Sequence, residues 1–371
     1  MKRLCSLSYA VLTFCGALNM KRVLGFLFGV LATLWMATPA FAWGPLNDSE
    51  EPGSVLVFHK FIRGTAPPFA KTEIEISVTC PVGATCATSG QIVKLHGHWV
   101  CPGNFGVACN EVDFDLKTTV NGSIKFDPEN FETTNTDTVP QPPCNRGYLI
   151  LWVVDDFGNP IKFDGLIGDA VIRDSNGTAV AALDIFYFRA YNALPIQADP
   201  SLNTGDFTDL DSSGNHTGTL QFDGSGSHYQ EVTGTIYGTV KYDTTVPTIE
   251  HTYLTLLTLD VLSGRFNNPT FVDLNFYNQA EVLKSVHTAF FCWAETPVSS
   301  LDNTLTSTLF GNKGLVQSTG AEKQAFLGTG DSTGPVTLVG IVETLDNTVA
   351  DSYAYFLFND SQPLPTTFVP H

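Results

Sequence analysis

The chain has 371 residues, 43% of them hydrophobic and only 15% charged, with 37 acidic against 19 basic side chains. That is enough apolar material for a large core. The acidic balance argues against nucleic acid as a partner, because phosphates need a basic surface.

In chain order, the first feature is a leader. Met20-Lys21-Arg22, an apolar run from Val23 to Trp35 and Thr38-Pro39-Ala40-Phe41-Ala42 supply a basic start, an apolar stretch and small residues before a cleavage point. This is the pattern of a secretory signal, with Met20 read as the true start and cleavage after Ala42. The apolar run is shorter than the about 20 residues of a membrane span. No transmembrane span is therefore expected once residues 1–42 are removed. Removal strips 4 basic and no acidic residues, leaving 15 basic and 37 acidic. Such a chain suits cations, neutral glycans or copies of itself rather than anionic membranes.

Strands are expected almost everywhere after that. Val55 to Ile62 is a run of strand length, and Thr72 to Thr79 alternates with Ile74, Ile76 and Val78 on one face. Gln91 to Val100 and Asp113 to Val120 follow, and Asn121-Gly122 predicts a hairpin turn into Ile124 to Phe126. Residues 127–144 read as a loop. Tyr148 to Val154 is almost wholly apolar and reads as a strand covered on both faces. Asp156-Phe157-Gly158-Asn159-Pro160 turns the chain back, and Ala170 to Arg173 leads to a second Asn-Gly turn at Asn176-Gly177. Residues 198–218 are polar and mark a boundary between regions 43–200 and 201–371. Beyond it the expected strands are Thr219 to Phe222, Thr233 to Tyr242, Tyr253 to Val261, Phe271 to Tyr277, His287 to Trp293, Val336 to Glu343 and Tyr353 to Phe358. Residues 297–328 are the place for a helix. Short strands with Gly/Asn turns predict an all-β chain of antiparallel sandwich architecture, one large or two packed units, with at most short helices.

Six cysteines lie beyond the leader: Cys80, Cys86, Cys101, Cys109, Cys144 and Cys292. An even count after a signal peptide predicts disulfides. Cys80/Cys86 and Cys101/Cys109 bracket short loops and are expected as local pairs, with Cys144 to Cys292 tying the halves together. The spacing lacks the close pairs of a zinc site.

Gly53-Ser54-Val55-Leu56-Val57-Phe58, Trp99-Val100-Cys101-Pro102, Gly147-Tyr148-Leu149-Ile150 and Phe290-Phe291-Cys292-Trp293 resemble segments of a group of exported bacterial proteins of unknown function. The resemblance implies a cell-envelope or extracellular setting and a β-rich fold. It transfers no activity and no site residue.

Chemistry-bearing groupings are few. Asp209, Asp211 and Ser213, followed by Gly214, place oxygens at positions one, three and five of a calcium-type loop, but position twelve is Leu220 rather than Glu. Ca²⁺ is the one cofactor candidate from this reading. His96-Gly97-His98 puts two imidazoles on one face of a strand, half of a transition-metal site. Paired carboxylates at Glu73/Glu75, Asp113/Asp115 and Asp155/Asp156 become glycosidase-like only across a cleft. Gly330-Asp331-Ser332-Thr333-Gly334 precedes a strand, not the helix a nucleophile elbow requires. Trp99, Trp152 and Trp293 lie in apolar runs or beside cysteines and read as core, with a sugar-stacking platform as the rival. The reading is an exported, acidic, non-catalytic envelope protein acting by structure or binding. A glycan-binding or glycan-active sandwich is the alternative.

Overall fold

Apolar runs and two-residue alternations become strands almost throughout the described part of the chain. The structure is a computed structural model, and it describes residues 51–64, 71–81, 91–104, 109–129, 137–174, 187–198, 220–222, 224, 229–240, 249–259, 268–305, 314–323, 334–346 and 351–359. The strands of the first part are β1 (Val55–Ile62), β2 (Lys71–Val78), β3 (Ile92–Val100), β4 (Glu111–Thr119), β5 (Ser123–Phe126), β6 (Arg146–Val154), β7 (Leu166–Asp174), β8 (Tyr187–Asn192) and β9 (Leu194–Ile196). Those of the second are β10 (Ile236–Val240), β11 (Ile249–Leu257), β12 (Thr270–Asn278), β13 (Leu283–Phe290), β14 (Trp293–Pro297), β15 (Gly314–Lys323), β16 (Gly334–Pro335), β17 (Val339–Asp346) and β18 (Asp351–Asn359). A single-turn helix, α1 (Val298–Leu301), follows β14.

One antiparallel sheet has the order β4-β3-β6-β1-β9. The other strands form a branched network, β13-β12-β15-β10-β18-β8-β7-β2-β5, in which β17 joins β18 to β11, β11 joins β14, and β16 lies on β15. All pairings among the described strands are antiparallel except a single parallel contact between β18 and β8. The fold is thus the expected antiparallel, disulfide-stapled β architecture, and the described strands close into no barrel. Among the described residues no helix is long and apolar enough to cross a membrane. Residues Pro45–His371 cluster as one compact unit, and strands from both regions share its larger, branched network.

The β1/β6 pair is the centre. Along β6, Leu149, Leu151 and Val153 join one core cluster with Ile74, Ile76 and Val78 of β2 and Ile124 of β5. Tyr148, Ile150, Trp152 and Val154 join a second with Leu257 of β11, Trp293 of β14 and Val339 of β17. A strand buried on both faces reads as a near-continuous apolar run, and that is how Tyr148 to Val154 of β6 reads in the sequence. A third cluster packs Val272, Leu274 and Phe276 of β12 and Val316 of β15 against Leu254 and Leu256 of β11 and Val342 of β17.

Four expectations are corrected. Asn121-Gly122 does make a tight turn, with Gly122 N donating to Thr119 O at 2.8 Å and Asn121 at φ 64°. Positive φ at the third turn position is the type II pattern, not the hairpin type. Accordingly β4 pairs with β3 and β5 with β2, so the turn carries the chain from one sheet to the other. The expected strand His287 to Trp293 is two strands. Cys292, at φ 59°, breaks the run, and the chain leaves β12 for β11. The described residues within 297–328 hold the single turn of α1 and, against expectation, strand β15. Leu220 to Phe222 belong to no strand, although Phe222 is buried.

Two of the expected disulfides are also corrected. Cys101 bonds Cys144 and Cys109 bonds Cys292, with Cα atoms 5.9 and 6.3 Å apart. The Cys101/Cys109 and Cys144/Cys292 pairings fail because the cysteines divide between two cores: Cys144 packs against the first cluster, while Cys109 and Cys292 both belong to the second. The shared end of β3 and β4 turns Cys101 toward the 137–145 loop and Cys109 toward the β13–β14 break. Cys80 is disulfide-bonded; Cys86, expected as its partner, lies outside the described residues. So do Asp209, Asp211 and Ser213, Asn176-Gly177 and the Ser332 motif.

Candidate metal centre

Strand alternation places Val93, Leu95, Gly97 and Trp99 of β3 on one face and Lys94, His96 and His98 on the other. The first set turns into the core. A Cβ at Gly97 would lie 2.3 Å from Leu151 Cδ2 and 3.0 Å from the Phe114 ring, so glycine leaves the space that these two side chains fill. On β4, Phe114 and Leu116 face the same core, and Glu111, Asp113 and Asp115 face outward. The β3–β4 register pairs His96 with Asp115 and His98 with Asp113. Two imidazoles and three carboxylates therefore share one partly exposed face.

The side chains are ordered against one another. His96 Nδ1 lies 2.7 Å from Asp115 Oδ1, and His98 Nδ1 lies 3.4 Å from Glu111 Oε2. The two Nε2 atoms face each other at 3.0 Å. Both rings rest against Trp152 of β6, with centroids 5.0 Å from it. Trp152 itself is buried, so the pair has a rigid aromatic floor. His96, His98 and Asp113 each offer one ligand atom, and these atoms lie within 4.8 Å of one another. Imidazole plus carboxylate is a donor set for a divalent transition ion. The His-x-His spacing points to the pair in the sequence. Asp113 as third donor needs the cross-strand register, which spacing does not supply.

The other carboxylate pairs are engaged in structure. Glu73 pairs with Lys71 at 2.8 Å and Glu75 with Lys125 at 2.7 Å. Asp155 is buried and accepts from the Phe157 and Asn159 backbone N–H groups at 2.8 Å each, which fixes the turn around Gly158. Asp156 pairs with Lys94. Trp99, Trp152 and Trp293 are buried, so the core reading holds and these three rings form no stacking platform.

A second charged cluster, not anticipated from the sequence, lies inside. Lys60 of β1 is buried, with Nζ 2.6 Å from Glu343 of β17 and 2.9 Å from Glu295 of β14. Arg146 of β6 reaches the other Glu295 oxygen at 2.9 Å. Two cations meet two carboxylates, as burial of charge demands. Its neighbour His59 is fully buried, and burial lowers its pKa to about 3, so it is neutral.

No family model matches the chain, and no curated protein shows significant similarity to it.

Proposed function

We propose that the chain is an exported, disulfide-locked β-sandwich protein of the bacterial envelope or its surroundings, acting by binding or structure rather than by catalysis. The observation that carries this reading is the pair of disulfides, Cys101–Cys144 and Cys109–Cys292, together with the leader expected in residues 1–42. Disulfides of this kind persist in oxidising compartments and are rare where glutathione keeps thiols reduced. The structural engagement of Glu73, Glu75, Asp155 and Asp156 supports the non-catalytic part. The buried tryptophans remove the main support for the glycan alternative.

The test is expression of the full chain with its own leader in a bacterial host, followed by fractionation, intact mass and thiol titration. The expected product leaves the cytoplasm, begins at Trp43 and has no free thiol. A cytoplasmic product that keeps residues 20–42 and titrates free cysteines would overturn the reading. Light scattering on the same material separates the structural from the binding role. Large assemblies favour the first and a monomer the second.

A further inference from the structure

We infer that His96, His98 and Asp113 form a binding site for a divalent transition-metal ion of the copper–zinc class. Asp115 lies on the Nδ1 side of His96, and Glu111 on the Nδ1 side of His98. A carboxylate there holds the ring N–H on Nδ1 and leaves Nε2 as a lone pair, the arrangement that outer carboxylates impose on metal-bound histidines. The two Nε2 atoms face each other across 3.0 Å, a separation that either one shared proton or one bound cation accounts for. Bonds of about 2.0–2.1 Å from each imidazole to one ion are compatible with it.

The third donor and the surroundings fit the same occupant. Asp113 is the residue opposite His98 in the β3–β4 register, and its carboxylate completes a cluster within 4.8 Å. Glu111, Asp113 and Asp115 make the face anionic before any ion arrives. Three protein ligands leave an open position for water or an exogenous ligand. Mixed imidazole and carboxylate donors favour copper and zinc over calcium or magnesium, which prefer oxygen alone. The site is built on two paired strands over a buried Trp152, so its geometry requires no loop to order. His287 and Asp273 supply a contrast on β12 and β13. They form a cross-strand His–carboxylate pair at 2.6 Å and belong to no such cluster among the described residues.

The experiment is calorimetric titration of the purified, oxidised protein with Zn²⁺ and with Cu²⁺, with tryptophan emission followed for Cu²⁺. One ion per chain is expected, and Cu²⁺ should quench part of the emission through Trp152. Asp115→Asn, which removes only a positioning carboxylate, should weaken binding about 10- to 100-fold. His96→Ala and His98→Ala should each weaken it further and abolish the quenching. His287→Ala should leave both unchanged. Near-ultraviolet circular dichroism reports whether each variant keeps its packing, and Asp113→Asn provides a milder test should an alanine variant fail to fold. Absence of saturable binding in the parent protein means the two imidazoles share a proton only, and overturns the inference. Binding that survives His96→Ala and His98→Ala together, or that is lost with His287→Ala, does so as well.

Discussion

His59 shows how far one side chain departs from its sequence appearance. It stands in an apolar run, is 1% exposed, and packs edge-on to Tyr191 with centroids 6.1 Å apart. Its backbone carbonyl accepts from Trp293 Nε1 at 2.9 Å, which ties this point of β1 to β14. Burial lowers its pKa from 6.5 to about 3. The unfolded chain therefore binds a proton near pH 6.5 that the folded chain refuses until about pH 3. Stability contributed by the neutral ring is present above pH 6.5 and falls as pH drops toward 3, by at most about 1.4 kcal/mol per pH unit. Asp164 acts with the opposite sign, because burial raises its pKa. The comparison that isolates His59 is denaturant unfolding of the protein and of His59→Gln at pH 7 and pH 4.5. The variant should lose less stability across that interval, and an equal loss would show that burial does not depress the ring's pKa.

At the scale of the element, β1 explains why a lysine is tolerated inside. Its register against β6 slips between Phe58 and Phe61. Three residues on β1 span two on β6, from Leu149 to Gly147, which is a bulge. Regular alternation would put Phe58 and Phe61 on opposite faces, yet both belong to the same core cluster. The extra residue frees Lys60 to reach Glu295 and Glu343 on the other side of the sheet. Tyr191 ties down the bulge, since Lys60 N donates to its hydroxyl at 3.2 Å. Lys60→Met keeps the stem but leaves Glu343 buried opposite a methyl group. A loss of about 3–5 kcal/mol is expected, read as a lower denaturant midpoint. Adding Glu343→Gln should recover part of it, because the orphaned charge is then removed as well. No recovery in the double variant would refute the charge argument.

At the scale of the molecule, the β1/β6 pair is covered on both faces by strands from distant parts of the chain. Cys109–Cys292 spans 183 residues and joins the β4 end to the β13–β14 break. Cys101–Cys144 spans only 43 and lies within the first region. In the loop-entropy account a longer closed loop restrains the unfolded chain more. Replacing Cys109 and Cys292 together by Ser should cost about 2–5 kcal/mol, at least as much as replacing Cys101 and Cys144. Thermal midpoints of the two double variants make the comparison. The reverse order would mean that local geometry at Cys101 outweighs chain restraint.

What the sequence determined by itself is the fold class and most strand positions. Alternation in β2 and the apolar run Tyr148 to Val154 in β6 are local signals of one-sided and two-sided burial, and they act wherever the strand lies. It also placed His96 and His98 on one face, since that follows from a two-residue period alone. Tertiary structure decided everything that depends on pairing. The partner of each cysteine, the change of sheet at Asn121-Gly122 and at Cys292, and the third donor Asp113 all follow from which strands lie side by side. The burial of Lys60 follows from a bulge that no residue type announces and from glutamates 235 and 283 residues away. Local patterns specify a strand's faces, whereas pairing and long-range charge compensation are properties of the assembled sheets.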